Sequence, residues 1–96
     1  MAMGPKLQFE WDESNRQHVL RHKVTTEEFE QAMFNDPMFI DLEEESGEGR
    51  WYALGPTDGM RMLFLVFTYH GASIRPITAW DAPKRLRDRY FKGRAI

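Results

Sequence analysis

The fold is decided by residues 60 to 94, MRMLFLVFTYHGASIRPITAWDAPKRLRDRYFKGR. Met60 to Tyr69 is apolar on both faces and rich in Phe and Val, which predicts a strand covered from both sides at the centre of a sheet. His70-Gly71-Ala72 turns the chain into a second strand, Ser73 to Trp80. Pro76 lacks an N–H and marks that strand as a sheet edge or as bulged. Asp81 is placed to cap a following helix with Pro83 in its first turn, where a proline costs little. Leu86 and Tyr90, four apart, give this helix an apolar stripe to lay on the sheet. Its remaining positions are basic: Lys84, Arg85, Arg87, Arg89 and Lys92 face a single acid, Asp88.

Working back from that centre, Pro56-Thr57-Asp58-Gly59 reads as a hairpin turn, with Asp-Gly supplying positive backbone angles. It joins the central strand to Arg50–Gly55. Met38–Leu42 is a further short strand, and the acidic, glycine-flanked stretch from Glu43 to Gly49 reads as a mobile loop. Asn35-Asp36-Pro37 ends a helix, because the residue before proline resists helical angles. That helix opens on a T-x-x-E capping box, Thr25 and Glu28, and carries the core stripe Phe29, Ala32 and Met33. An earlier helix runs from an Asp12 cap to about His22. Leu7, Phe9 and Trp11 alternate as a short first strand. The order β-α-α-β-β-β-β-α predicts one α+β domain over 7 to 96, built on an antiparallel meander, with residues 1 to 6 as a disordered tail.

The chain of 96 residues is large enough for one modest core and too small for two. No apolar run approaches the roughly 20 residues of a membrane span and no secretory signal opens the chain. There is no cysteine, which excludes disulfides, thiol catalysis and cysteine metal sites. The expected location is therefore the cytoplasm. Formal charge is only −2, but the signs are segregated. Residues 1 to 60 hold five Lys or Arg against thirteen Asp or Glu, and residues 61 to 96 hold eight against two. Such asymmetry points to a phosphate-rich partner, RNA first, or to two solvated faces of opposite sign.

Several residues are candidates for chemistry. His18 and His22 lie four apart on one helix face, but Arg21 between them disfavours a bound cation, so no metal or other cofactor is expected. His22 suits a general acid or base, or a helix-end histidine that meets the last carbonyls. Arg50, Arg61 and Arg75 project from strands, where a guanidinium can clamp two phosphate oxygens. Lys84 and Arg85 occupy the first turn of the last helix, where positive charge is unfavourable, so something outside the helix should reward them.

Phe9-Glu10-Trp11-Asp12-Glu13, Arg21-His22, Val24 and Glu27-Glu28 resemble the opening of the BrnT family of bacterial type II toxins. Tyr52-Ala53-Leu54-Gly55, the strand Met62–Phe67, and Arg75 to Ala79 followed by an Arg-rich helix with Tyr90 resemble the remainder. The resemblance spans Leu7 to about Lys92. It implies a metal-independent ribonuclease of RelE-like fold, neutralised by an antitoxin with a ribbon-helix-helix part, the complex repressing its own operon. The implied reaction is attack of a ribose 2′-hydroxyl on the adjacent phosphate. His22, Arg50 and Arg75 would be the catalytic groups, and Arg61, Trp80, Lys84, Arg85, Arg89 and Tyr90 the RNA-binding ones. Two positions depart from the family pattern: Lys23 stands where a glycine is usual, and Trp80 where an arginine is common. The other readings are a degenerate relative that binds RNA or a protein without cutting, and a domain whose segregated charge drives self-association.

Overall fold

The computed structural model describes residues 7–44 and 49–94. Its elements are β1 (Gln8–Phe9), α1 (Glu13–Arg21), α2 (Thr26–Phe34), β2 (Met38–Glu43), β3 (Arg50–Pro56), β4 (Met62–His70), β5 (Ser73–Asp81) and α3 (Lys84–Arg94). The class is α+β, in the order read from sequence. The strands form one sheet ordered β1-β5-β4-β3-β2, with β4 at its centre. From β2 to β5 the sheet is an antiparallel meander, and β1 adds a short parallel pairing to β5. The expected tail over 1 to 6 and the middle of the acidic loop lie outside the described residues.

Two cores sit on the two faces. Val19, Val24, Phe29, Ala32 and Met33 of the first two helices and their link pack on Ala53, Leu63, Leu65, Phe67, Ile74 and Ala79. The opposite face holds a smaller cluster of Leu54, Met62, Ala82 and Tyr90, flanked by Phe64 and Leu86. The face alternation follows from the period of two along each strand. Gly55 marks the closest approach of α2 to the sheet, where an added Cβ would overlap the Ala32 carbonyl oxygen.

Both capping boxes form. Asp12 accepts from the Asn15 N–H while the Asn15 side chain accepts from the Asp12 N–H, and Thr25 and Glu28 do the same for α2. The link between the helices is a Schellman closure. Lys23 N–H donates to the Leu20 carbonyl at 2.9 Å and Val24 N–H to the Val19 carbonyl at 3.0 Å. Lys23 takes a φ of 59° to make it, a conformation that favours glycine.

Two local expectations are corrected and a third is narrowed. In the β3–β4 turn the positive φ falls on Met60, at 67°, and not on Asp58 or Gly59. Met60 N–H bonds the Thr57 carbonyl and Thr57 N–H the Arg61 carbonyl, a three-residue loop whose third position must be left-handed. Asp81 ends β5 and does not cap α3. The first helical bond runs from Arg87 N–H to the Pro83 carbonyl, so Pro83 holds the cap position. At Pro76 the bulged alternative is the one that holds. Val66 pairs with Thr78 and Phe67 with Pro76, leaving Ile77 as the extra residue where the ladder is already interrupted.

Two glycine substitutions should move stability in opposite directions, read by thermal or urea unfolding. Lys23→Gly should stabilise the fold by roughly 0.5–1 kcal/mol by relieving the left-handed lysine. Gly55→Ala should destabilise it by roughly 1–3 kcal/mol, because helix backbone has to give way.

Candidate active site

On β3, Arg50, Tyr52 and Leu54 point to the side that α3 covers. The register carries this face across the sheet, with Tyr52 opposite Val66 and Val66 opposite Thr78, then Leu54 opposite Phe64 and Phe64 opposite Trp80. One rung the other way, Thr68 pairs with Arg75, and Arg50 lies one residue before the Trp51–Phe67 pair. Arg50, Thr68 and Arg75 therefore occupy one row across three strands. The α3 cluster is at the Leu54–Met62 end, which leaves this row open. Beside it runs a groove in two adjoining parts. Arg50, Arg75, His18 and Ile77 line the first, and Arg50, His18, Ile77, His22 and Thr78 the second. His22, Arg50 and Arg75 thus come to one groove although they are far apart in sequence.

Arg75 does not hang free in this groove. Its Nη2 donates to Asp12 Oδ2 at 2.5 Å, while Asp12 Oδ1 accepts the Asn15 N–H. The Asn15 N–H first, and the Arg75 guanidinium after it, hold the Asp12 carboxyl below its ordinary range. Asn15 is buried, and its Nδ2 donates to the Glu10 and Pro76 carbonyls, each at 2.9 Å. The N-terminus of α1 is thereby tied both to the bulged strand and to the arginine. His18 Nδ1 lies 3.3 Å from the Ile77 carbonyl, a contact the ring makes when that nitrogen carries the proton.

Aromatic rings continue this face of the sheet from the groove towards α3. Trp80 stacks on Phe64 with centroids 5.0 Å apart and planes 12° from parallel, and His22 lies 5.7 Å from Trp80. Tyr52 donates to Glu43 Oε2 at 2.6 Å, which with burial pushes the phenol pKa up. Tyr52 is therefore a protonated hydrogen-bond donor at neutral pH, not a base. On α3, Lys84, Arg87 and Phe91 line a depression beside Met60 and Arg61, and Lys84 pairs with Asp88 at 2.8 Å. Helical spacing puts Arg85 and Arg89 on the other flank, exposed and on the same side of the sheet as Arg50.

Two expected RNA-binding residues sit elsewhere. Arg61 is spent inside the protein: Nε donates to Asp81 Oδ1 at 2.6 Å, and Nη1 to the Lys23 carbonyl at 2.7 Å and to both Glu28 oxygens at 3.1 and 3.2 Å. Two carboxylates cancel its charge, so it offers no phosphate clamp. Tyr90 is 6 % exposed, and its hydroxyl donates to the Asp36 carbonyl at 2.8 Å, so its ring is part of the core and not a stacking platform. Sequence reasoning in turn passed over Thr68, Tyr52 and Asn15, and weighed His18 only as a metal ligand. The i, i+4 spacing of His18 and His22 was the one signal available for that residue. Among the described residues no three His, Asp or Glu side chains gather as a metal site would require.

A groove lined by two strand arginines and by His18 and His22 of the first helix defines a small α+β protein with a cationic cleft. The model of the family described as "Ribonuclease toxin, BrnT, of type II toxin-antitoxin system" matches residues 11–85, and the chain belongs to that family. The matched span holds His18, His22, Arg50, Arg75 and Trp80 and ends within the first turn of α3. Membership implies an RNA target and an antitoxin partner. No curated protein matches the chain. No helix among the described residues is long and apolar enough to cross a membrane.

The Arg61 centre sets an acid limit. The Arg61 guanidinium holds Asp81 below its ordinary range, and the bonds from Thr25 and Arg61 to Glu28 together outweigh the burial that opposes them. Carboxyls depressed in the folded state stabilise it above their unfolded pKa of roughly 4, and that contribution is lost as pH falls through the folded values. Arg61→Met should cost about 2 kcal/mol at pH 7 and flatten the loss of melting temperature between pH 5 and 2, within ranges set by charged hydrogen bonds. An unchanged acid slope in the variant would show that Arg61 is not the hub.

Proposed function

We infer that this chain is a metal-independent endoribonuclease acting in the groove beside the Arg50–Thr68–Arg75 row. The observation that carries the reading is the convergence of two strand-borne guanidinium groups and two imidazoles of the first helix on one open groove. The ribose 2′-oxygen attacks the neighbouring phosphorus, loses its proton to an imidazole, and expels the 5′-oxygen, which takes a proton from the other. The products are a 2′,3′-cyclic phosphate and a 5′-hydroxyl end. His22 and His18, one helical turn apart, serve as the proton-transfer pair. Arg50 and Arg75 stabilise the charge that grows on the phosphorane oxygens. Asp12 acts through Arg75 as a positioning residue, since it orients the guanidinium without meeting substrate.

Trp80 supplies a planar surface for a flanking base, and Arg85 and Arg89, with Lys84 more remote, attract the backbone. The two-helix, sheet and closing-helix layout supports the RelE-like comparison. The partner that silences this site is a ribbon-helix-helix antitoxin, and the pair works in the cytoplasm. A second reading, RNA binding without cutting, draws on Trp80. This ring stacks on Phe64 where relatives tend to carry a cation, and an aromatic cannot neutralise a phosphorane.

Cleavage of a single-stranded RNA should persist in excess EDTA and leave cyclic phosphate ends. Arg75→Ala should lower kcat by about 100-fold, the scale of removing one transition-state donor. Asp12→Asn should lower kcat less, and His22→Asn or His18→Asn should each impair proton transfer. Full activity in Arg75→Ala, or activity restored to an EDTA-treated sample only by added Mg²⁺, would sink the mechanism. Salt-sensitive binding with no cleavage at all would favour the second reading.

A further inference from the structure

The outer strand β2 is an open edge of the sheet. Its inner edge pairs with β3, and its outer edge has no strand neighbour among the described residues. Edge strands are commonly protected by lysine or proline, and Met38–Glu43 contains neither. A bulge between Phe39 and Asp41 gives the strand two distinct faces. On the α2 side, Phe39 packs 5.6 Å from Trp51 and 5.9 Å from Phe67, and Trp51 lies 5.8 Å from Tyr69. This aromatic step stays open: Phe39 is 49 %, Tyr69 43 % and Leu42 37 % exposed. On the other side the same strand presents Asp41 and Glu43, opposite Tyr52 and Arg50, and Glu44 follows.

An acidic edge repels a phosphate backbone, so RNA is a poor occupant. Apolar side chains on one face and carboxylates on the other match an extended segment whose residues alternate apolar with Lys or Arg. We propose that β2 is the docking edge for the antitoxin, which adds such a strand to the sheet, apolar side chains over Phe39, Leu42 and Trp51, basic ones against Asp41 and Glu43. The inference rests on the type II assignment and not on the catalytic roles given to the groove. It also places the antitoxin beside the groove, because Glu43 is bonded to Tyr52 and lies opposite Arg50, the first residue of the clamp row.

The test uses the full chain co-expressed with the antitoxin that family membership implies, compared with the chain alone. Hydrogen exchange over residues 38–43 should slow at least tenfold in the complex. Phe39→Lys and Leu42→Lys should each weaken the complex at least tenfold, while RNA cleavage by the folded free chain stays near wild type. Exchange on the wild-type pair keeps the proposal open to refutation even if a variant folds poorly. Protection confined to α1, β5 or α3, slowing over 38–43 that grows with concentration of the chain alone, or failure of the two proteins to associate would each overturn it. Loss of cleavage with β2 protection intact would count against the catalytic reading and leave the docking edge standing.

Discussion

Everything in this small domain hangs on the guanidinium of Arg61. From the start of β4 it reaches the carbonyl of Lys23 at the α1–α2 link, the carboxylate of Glu28 in the first turn of α2, and Asp81 at the end of β5. Hydrophobic packing brings helices to a sheet but is indifferent to small slides along it. A planar fork of donors aimed at three separate elements is not indifferent. With those bonds made, α1 keeps its angle to β5, and His22 at its C-terminus is held against Trp80.

A second tie works at the opposite end of α1. Asp12 and Asn15 cap the helix, hold the bulged strand through Pro76, and hold Arg75. The helix is thus fixed at both ends to β5, the strand that carries Arg75. Capping is usually a matter of helix stability alone. Here the same carboxylate that closes the helix also aims an arginine into the groove, so folding of α1 and assembly of the site are one event.

The charge segregation takes on a different meaning once the chain is folded. The basic half does not form one patch. Arg61 is paired with Glu28 and Asp81, Lys84 pairs with Asp88, and Arg50, Arg75, Arg85 and Arg89 are shared between a groove and a helix flank. The acids of the first half are likewise divided. Some hold arginines in place, and those of β2 line an exposed edge. The two signs therefore mark two surfaces, a groove proposed for RNA and an edge proposed for the antitoxin.

The sequence by itself determined the elements and their order, because each rests on local physics: Asp12 and Thr25 as caps, the Phe29–Ala32–Met33 stripe, the two-sided apolar run of β4, and the break at Asn35-Asp36-Pro37. It also carried the family resemblance and the choice of His22, Arg50 and Arg75 as residues worth examining. What it left undecided depends on distances between residues far apart in the chain. Whether Arg61 meets phosphate or carboxylate, and whether Tyr90 stacks a base or fills the core, follows from strand register and helix rotation. Those are set by the sum of many weak contacts and leave no local trace. The row of Arg50, Thr68 and Arg75 has the same origin: three residues become neighbours only when three strands align, and tertiary structure alone aligns them.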